Sequence, residues 1–148
     1  MENNYPELIV ECKDLKNGAT FPIKYTHRGE EVSPEFILKN LSMNGKTITI
    51  IFDDLDHPMN HWIIWNLPAM DIIPGKLPEN KILTNFGNCR QRSKYRGPNP
   101  PKGIKHKYQF DFYVLDCELK KINYSKNELI KAMEEHVIQY GFVFGYFE

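Results

Sequence analysis

Net charge is the first thing this sequence lacks. Lys plus Arg and Asp plus Glu balance at 19 each, where a general nucleic-acid binder carries a basic excess. No nucleic-acid partner is therefore expected. No apolar run approaches the roughly 20 residues that cross a bilayer, so no transmembrane segment is expected either. The N-terminus, Met1-Glu2-Asn3-Asn4-Tyr5-Pro6-Glu7, is polar and acidic, unlike a signal peptide. Cysteine is scarce: Cys12, Cys89 and Cys117 are widely spaced and odd in number, with no C-x-x-C pair. Free thiols in a reducing cytoplasm are the simplest account. There is no G-x-S-x-G elbow, internal repeat or low-complexity tract.

What is present is core material. Of 148 residues, 41% are hydrophobic and 13% aromatic, enough for one domain over residues 1–148. The clearest strand spans 47–52, β-branched and nearly continuous in hydrophobicity, as a central buried strand would be. It leads through Asp53-Asp54-Leu55-Asp56-His57-Pro58 into a second strong strand at 61–67. A third, 108–115, places Tyr108, Phe110, Phe112 and Val114 on one face, opposite Gln109 and Asp111. Weaker strands are expected at 8–12, 21–26, 34–40 and 140–147, and a long irregular connection at 68–95. One helix is expected over 125–136, opened by a Ser125/Glu128 capping box and carrying Leu129, Ile130, Met133 and Val137 as a stripe. The class is mainly β, antiparallel sheets with one late helix.

The chemistry collects at strand ends. Residues 95–108 hold three of the 10 prolines and two of the 9 glycines, a stiff loop that delivers His106 and Tyr108 to one strand face. Asp54 ends one strand and His61 opens its neighbour, so both fall near one sheet edge. If these ends meet, two imidazoles, a phenol and a carboxylate line one cavity suited to an anion. An Asp54–His61 hydrogen bond would favour the charged imidazolium. Asp56 reads as a turn stabiliser, Trp62 and Trp65 as core, and His57 and His136 as surface or packing residues. Lys102, Lys105 and Lys107 read as solvated loop lysines.

Asp54-x-Asp56-x-Pro58, then His61-Trp62, then Tyr95-x-Gly97-Pro98-x-Pro100-Pro101-x-Gly103-x-x-His106-Lys107-Tyr108 resembles the phosphatidylethanolamine-binding protein (PEBP) family. Its shorter bacterial and archaeal branch resembles this chain more closely than the Raf kinase inhibitor proteins do. Ser33-Pro34, Glu135-His136 and Gly145-Tyr146 extend the likeness over most of the chain. The resemblance implies two antiparallel sheets with Greek-key connections and a small peripheral helix. It also implies an anion or phosphorylated head-group pocket, carried over onto Asp54, His61, Asn99, Pro100, His106 and Tyr108. Three features depart from the family pattern. Leu55 stands where proline is usual, which would loosen that turn. Asn99 replaces a small residue, and no tryptophan follows Ser33-Pro34.

The expectation is a non-enzymatic, cytoplasmic binding protein for a small anionic or phosphorylated ligand, with a kinase or protease as candidate protein partner. The alternative is a small hydrolase using a His/Asp pair in the same pocket, ranked lower for want of a nucleophile. Asp54, Asp56, His61 and His106 as a mixed O/N metal site is a third reading. No cofactor or metal is expected.

Overall fold

The computed structural model describes residues 4–148, so residues 1–3 of the polar N-terminus lie outside the described residues. In chain order the strands are β1 (Val10–Glu11), β2 (Ala19–Thr20), β3 (Phe36–Leu38), β4 (Thr47–Asp54), β5 (Met59–Pro68), β6 (Ile72–Ile73), β7 (Arg90–Gln91), β8 (His106–Leu115) and β9 (Val137–Phe147). The helix α1 (Lys126–Met133) lies between β8 and β9.

Six strands form one sheet in the order β2-β9-β8-β4-β5-β7, and three form a small sheet, β1-β3-β6. All pairings are antiparallel except the edge pair β2–β9. A mainly β fold of two sheets with crossing connections and a small helix is the class expected.

β4 is central because every one of its eight residues is buried. The fold consequently has two apolar layers. Phe52, Trp62, Ile64, Phe110, Phe112 and Val114 face the small sheet and meet Phe36, Leu38 and Ile73 there. Ile51, Ile63, Trp65, Tyr113 and Leu115 face the other way and are covered by Leu129 and Met133 of α1. Stacked rings fill the first layer: Phe52 lies 3.9 Å from Phe110 and 5.6 Å from Tyr95, centroid to centroid and nearly coplanar. Each such ring contributes about 1.5–3 kcal/mol by leaving water. Trp62 and Trp65 are core, one in each layer.

Of the four weaker strands expected, 8–12 and 34–40 shrink to β1 and β3, 21–26 is lost and 140–147 lengthens to β9. Residues 21–26 form no strand: Pro22, at φ −58°, opens a 3-10 turn over Ile23–Tyr25, which the Thr26 hydroxyl closes by donating to Ile23 O at 2.9 Å. The helix has the expected capping box but stops at Met133. His136 N donates to Met133 O, and β9 begins at Val137, three residues earlier than its sequence pattern suggests. The connection at 68–95 is mostly irregular, interrupted by β6, a 3-10 turn at Thr84–Phe86 and β7. Ser33 anchors it: its carbonyl accepts from Lys76 N at 2.8 Å and its hydroxyl from Leu77 N at 3.1 Å.

Candidate functional site: a histidine-lined cavity at one end of the large sheet

Asp54, His61, Asn99, Pro100, His106 and Tyr108 all line one open cavity of about 660 Å³. It sits where the β4–β5 turn and the start of β8 meet the Pro-rich loop. Two strand features aim its side chains. His106 and Tyr108 are two apart on β8 and share a face, with ring centroids 6.3 Å apart. His61 arrives by a bulge. Phe52 pairs with Trp62 and Asp53 with Asn60, so His61 is an extra residue on β5. Strict alternation would put it with Ile63 and Trp65. The bulge turns it to the opposite face, against Phe52 at 5.7 Å and Tyr108 at 5.5 Å.

Asp54 organises the polar groups, and its partner is His106 instead of His61. β4 pairs Asp54 with Tyr108 on β8, which brings it beside His106; the bulge turns His61 onto the same cavity face, where its Nδ1 meets the Arg96 carbonyl. Asp54 Oδ2 lies 2.7 Å from His106 Nδ1, and Oδ1 accepts from the backbone N–H groups of Asp56 and His57, each at 2.9 Å. Burial pushes its carboxyl up. Hydrogen bonds from His57 N, His106, Asp56 N and Tyr108 outweigh that and hold it below its ordinary value of 3.8. Asp54 is thus a carboxylate at neutral pH, and an acceptor only, so the His106 Nδ1 it meets carries the proton. His61 Nδ1 lies 3.2 Å from the Arg96 carbonyl, which can only accept. Both imidazoles therefore spend Nδ1–H on the protein and leave Nε2, which donates only when the ring is charged. Tyr108 stays a neutral phenol: burial raises its pKa first, and the Asp54 charge adds to this.

The Pro-rich loop is pinned from outside. Arg28 donates to Pro100 O at 2.6 Å and Glu148 O at 2.8 Å while stacking on Phe147. His27 N donates to Pro98 O, and Gly97 N to Glu31 Oε2. Gly97 is required here, since a Cβ would lie 2.2 Å from Tyr25 O. Leu55 does not loosen the neighbouring turn. Its N–H, which proline would lack, donates to Lys107 O at 2.8 Å. Asp56 does stabilise the turn, accepting from Lys107 N. Asn99 is exposed on the cavity wall.

The lining includes residues that the motifs did not single out: His27, Glu31, His57, Lys94 and Arg96. His57, expected at the surface, is exposed but borders the cavity. Lys105 and Lys107 point elsewhere, over the Tyr146 and Phe144 rings on β9. Lys94 and Arg96 stand against Glu31, Asp54 and Asp56 in the lining. The cavity's formal charge turns positive only when two or more of its four histidines are protonated. No Ser, Thr or Cys is among the lining residues.

A two-sheet β protein with a small helix and a histidine-rich cavity at a sheet end is the class so defined. The family model described as "Phosphatidylethanolamine-binding protein" matches residues 11–148, and the chain belongs to that family. It is 40% identical over 147 residues to the UPF0098 protein PH1269 of Pyrococcus horikoshii, covering 89% of this chain and 72% of that one. It is 37% identical over 139 residues to a UPF0098 protein of Archaeoglobus fulgidus, covering 88% of this chain but about half (48%) of that relative's length. Among solved structures it is similar to the putative PEBP homolog CT736 of Chlamydia trachomatis (TM-score 0.80, 25% identity, 96% of this chain and 97% of that one). It also shares the fold of E. coli YbcL (TM-score 0.82, 21% identity, 96% and 98% covered). A carboxypeptidase Y inhibitor, solved with its cognate proteinase, shares the fold at TM-score 0.63 and 18% identity, with 97% and 84% covered. Among the described residues no helix is long and apolar enough to cross a membrane.

Proposed function

We propose that the protein is a non-enzymatic binding module whose cavity takes a small oxyanion, phosphate or the phosphate of a head group. Asp54, His61, Asn99, Pro100, His106 and Tyr108 form its ligand-binding wall. The observation that carries this reading is the Asp54–His106 contact at 2.7 Å together with the His61–Arg96 contact. Both rings are held through Nδ1, so protonation converts two Nε2 acceptors into donors in one cavity. The Asp54 carboxylate holds the His106 ring by its Nδ1–H and so leaves Nε2 for the cavity. His61 packs edge-on against buried Phe52 and Tyr108, which holds its ring in place at the cavity wall. The expected consequence is affinity that rises as pH falls through the range where imidazole charges.

Isothermal titration with inorganic phosphate and with phosphoethanolamine tests this. His106→Ala is expected to weaken binding by about 1.5–3 kcal/mol, roughly ten- to hundred-fold. Unchanged affinity in that variant would make His106 structural.

The hydrolase reading has one observation in its favour: a carboxylate behind a histidine is the arrangement of a general base. It would need water as nucleophile, since the lining supplies no hydroxyl of Ser or Thr and no thiol. Release of phosphate from phosphomonoesters, absent in His106→Ala, would establish it over the binding reading. Regulation of a protease rests on the fold shared with the carboxypeptidase Y inhibitor. Dose-dependent inhibition of a carboxypeptidase would support it. The kinase counterpart of the same regulatory reading is tested by a kinase assay.

A further inference from the structure

At the far end of β8 from the cavity, about 30 Å along the strand, three chemically different ligand groups converge. Asp116 and Cys117 follow β8 directly, and His136 occupies the turn between α1 and β9. A carboxylate oxygen of Asp116, the sulfur of Cys117 and a ring nitrogen of His136 all lie within 4.8 Å of one another. His136 Nδ1 is 3.0 Å from Asp116 Oδ1. The backbones carrying them are fixed. Asp116 N donates to His136 O at 3.0 Å, His136 N donates to Met133 O at 2.8 Å, and Thr47 Oγ1 donates to Cys117 O at 2.6 Å. The adjoining residues Leu115 and Val137 are paired across β8 and β9.

We propose that Asp116, Cys117 and His136 form a binding site for a borderline-soft divalent cation of the Zn²⁺ type, with water completing a four-coordinate shell. One thiolate, one imidazole and one carboxylate make a donor set that hard cations such as Mg²⁺ or Ca²⁺ do not favour. Tetrahedral zinc bonds of about 2.0–2.3 Å place neighbouring ligand atoms roughly 3.3–3.6 Å apart. The His136–Asp116 pair, at 3.0 Å, is already near that spacing, and all three donor atoms lie within 4.8 Å of one another. The His136 and Asp116 side chains are 43% and 48% exposed, so an ion reaches them from solvent. Binding releases a proton. Burial, and then the Asp116 charge, push the Cys117 thiol above its ordinary value, so the metal must displace hydrogen from sulfur. Lys46 and Lys120 face the same sulfur; they oppose a cation but favour the thiolate.

Titration of the full chain with Co²⁺, then displacement by Zn²⁺, reads this site directly. One equivalent of Co²⁺ is expected to give sulfur-to-cobalt charge-transfer absorption and the intense visible bands of four-coordination. Cys117→Ser is expected to abolish the charge-transfer band, and His136→Gln to weaken affinity by more than about 100-fold, beyond the roughly 10–100-fold that loss of an outer-shell partner costs. Charge-transfer absorption that is missing in the wild type, or that survives Cys117→Ser, overturns the proposal. A second readout needs no variant: Cys12 and Cys89 are buried, so alkylation of the native protein reports Cys117. One equivalent of Zn²⁺ should slow that alkylation at least ten-fold, and an unchanged rate refutes the site.

Discussion

Asp54→Asn is the substitution that separates charge from shape in the cavity. The side chain is 5% exposed and its oxygens accept hydrogen bonds from the Asp56 and His57 amides of the turn, from His106 and from Tyr108. Asparagine can keep its carbonyl oxygen on the Asp56 and His57 amides, which leaves its NH₂ facing His106 Nδ1. Two donors cannot share that contact. His106 must then present a bare Nδ1 and carry its proton on Nε2. The neutral ring becomes a donor toward the cavity, and anion binding loses much of its pH dependence while weakening at mildly acidic pH.

Stability follows the same logic with a definite sign. The Asp54 carboxyl lies below its ordinary value of 3.8 in the folded protein. Its contribution is therefore present above that value and is lost as pH falls below it, through the depressed folded value. Losing the charge-assisted bond to His106 should cost about 1.5–3 kcal/mol at pH 7. For a chain of this size that is roughly 3–12 °C in Tm. Urea denaturation of both proteins at pH 7 and near pH 3 measures it, and the gap between them should close toward the acid end. A gap of equal size at both pH values would mean that the amide disturbs packing and that the charge does no work. Phosphate affinity in the variant that remained as steep in pH as in the wild type would remove Asp54 from the mechanism.

Four further substitutions or treatments probe the frame around the cavity. Gly97→Ala would drive a Cβ to 2.2 Å from Tyr25 O and 2.7 Å from the Thr26 Cα, and should destabilise by about 2–3 kcal/mol in urea denaturation. Gly103→Ala, at φ +83° with open space around it, should cost only about 1–2 kcal/mol by the same measurement. Gln91→Ala would strip the partner from buried Trp62 Nε1 (2.8 Å) and from the carbonyls of Pro78 and Asn80, lowering urea stability by about 2–4 kcal/mol. Cys89 is fully buried and its thiol is pushed up to about 12 by burial, so it should resist alkylation at pH 8 until the protein is unfolded.

What could be read from the sequence was what is encoded locally. Residues 47–52 are apolar on both faces, which marks a strand buried on both sides, and β4 is that strand. Ser125 and Glu128 announce the start of α1 through their own reciprocal hydrogen bonds. β2, β6 and β7 are two residues each and exist only because a longer neighbour supplies the ladder, so no periodicity of their own betrays them. Residues 21–26 carry strand-like side chains, but Pro22 and the Thr26 hydroxyl turn the backbone before a strand can form.

The cavity divides along the same line. His106 and Tyr108 share a face because alternation on one strand requires it, and that could be counted off the chain. Pairing Asp54 with His61 rests on both lying near one edge of the sheet. One extra residue in β5 turns His61 onto the cavity face, yet the carboxylate meets the imidazole of β8 instead. The register that decides this depends on β4 being held from both sides, by β5 and by β8, which no single stretch of sequence records. His27 and Glu31 were harder still, since they reach the cavity only because Gly97 lets the Pro-rich loop touch residues 25–31. The same backbone contact that hides them from the sequence holds the wall still. A histidine fixed through Nδ1 to a carbonyl or carboxylate that cannot move is one whose remaining nitrogen is already aimed before any ligand arrives.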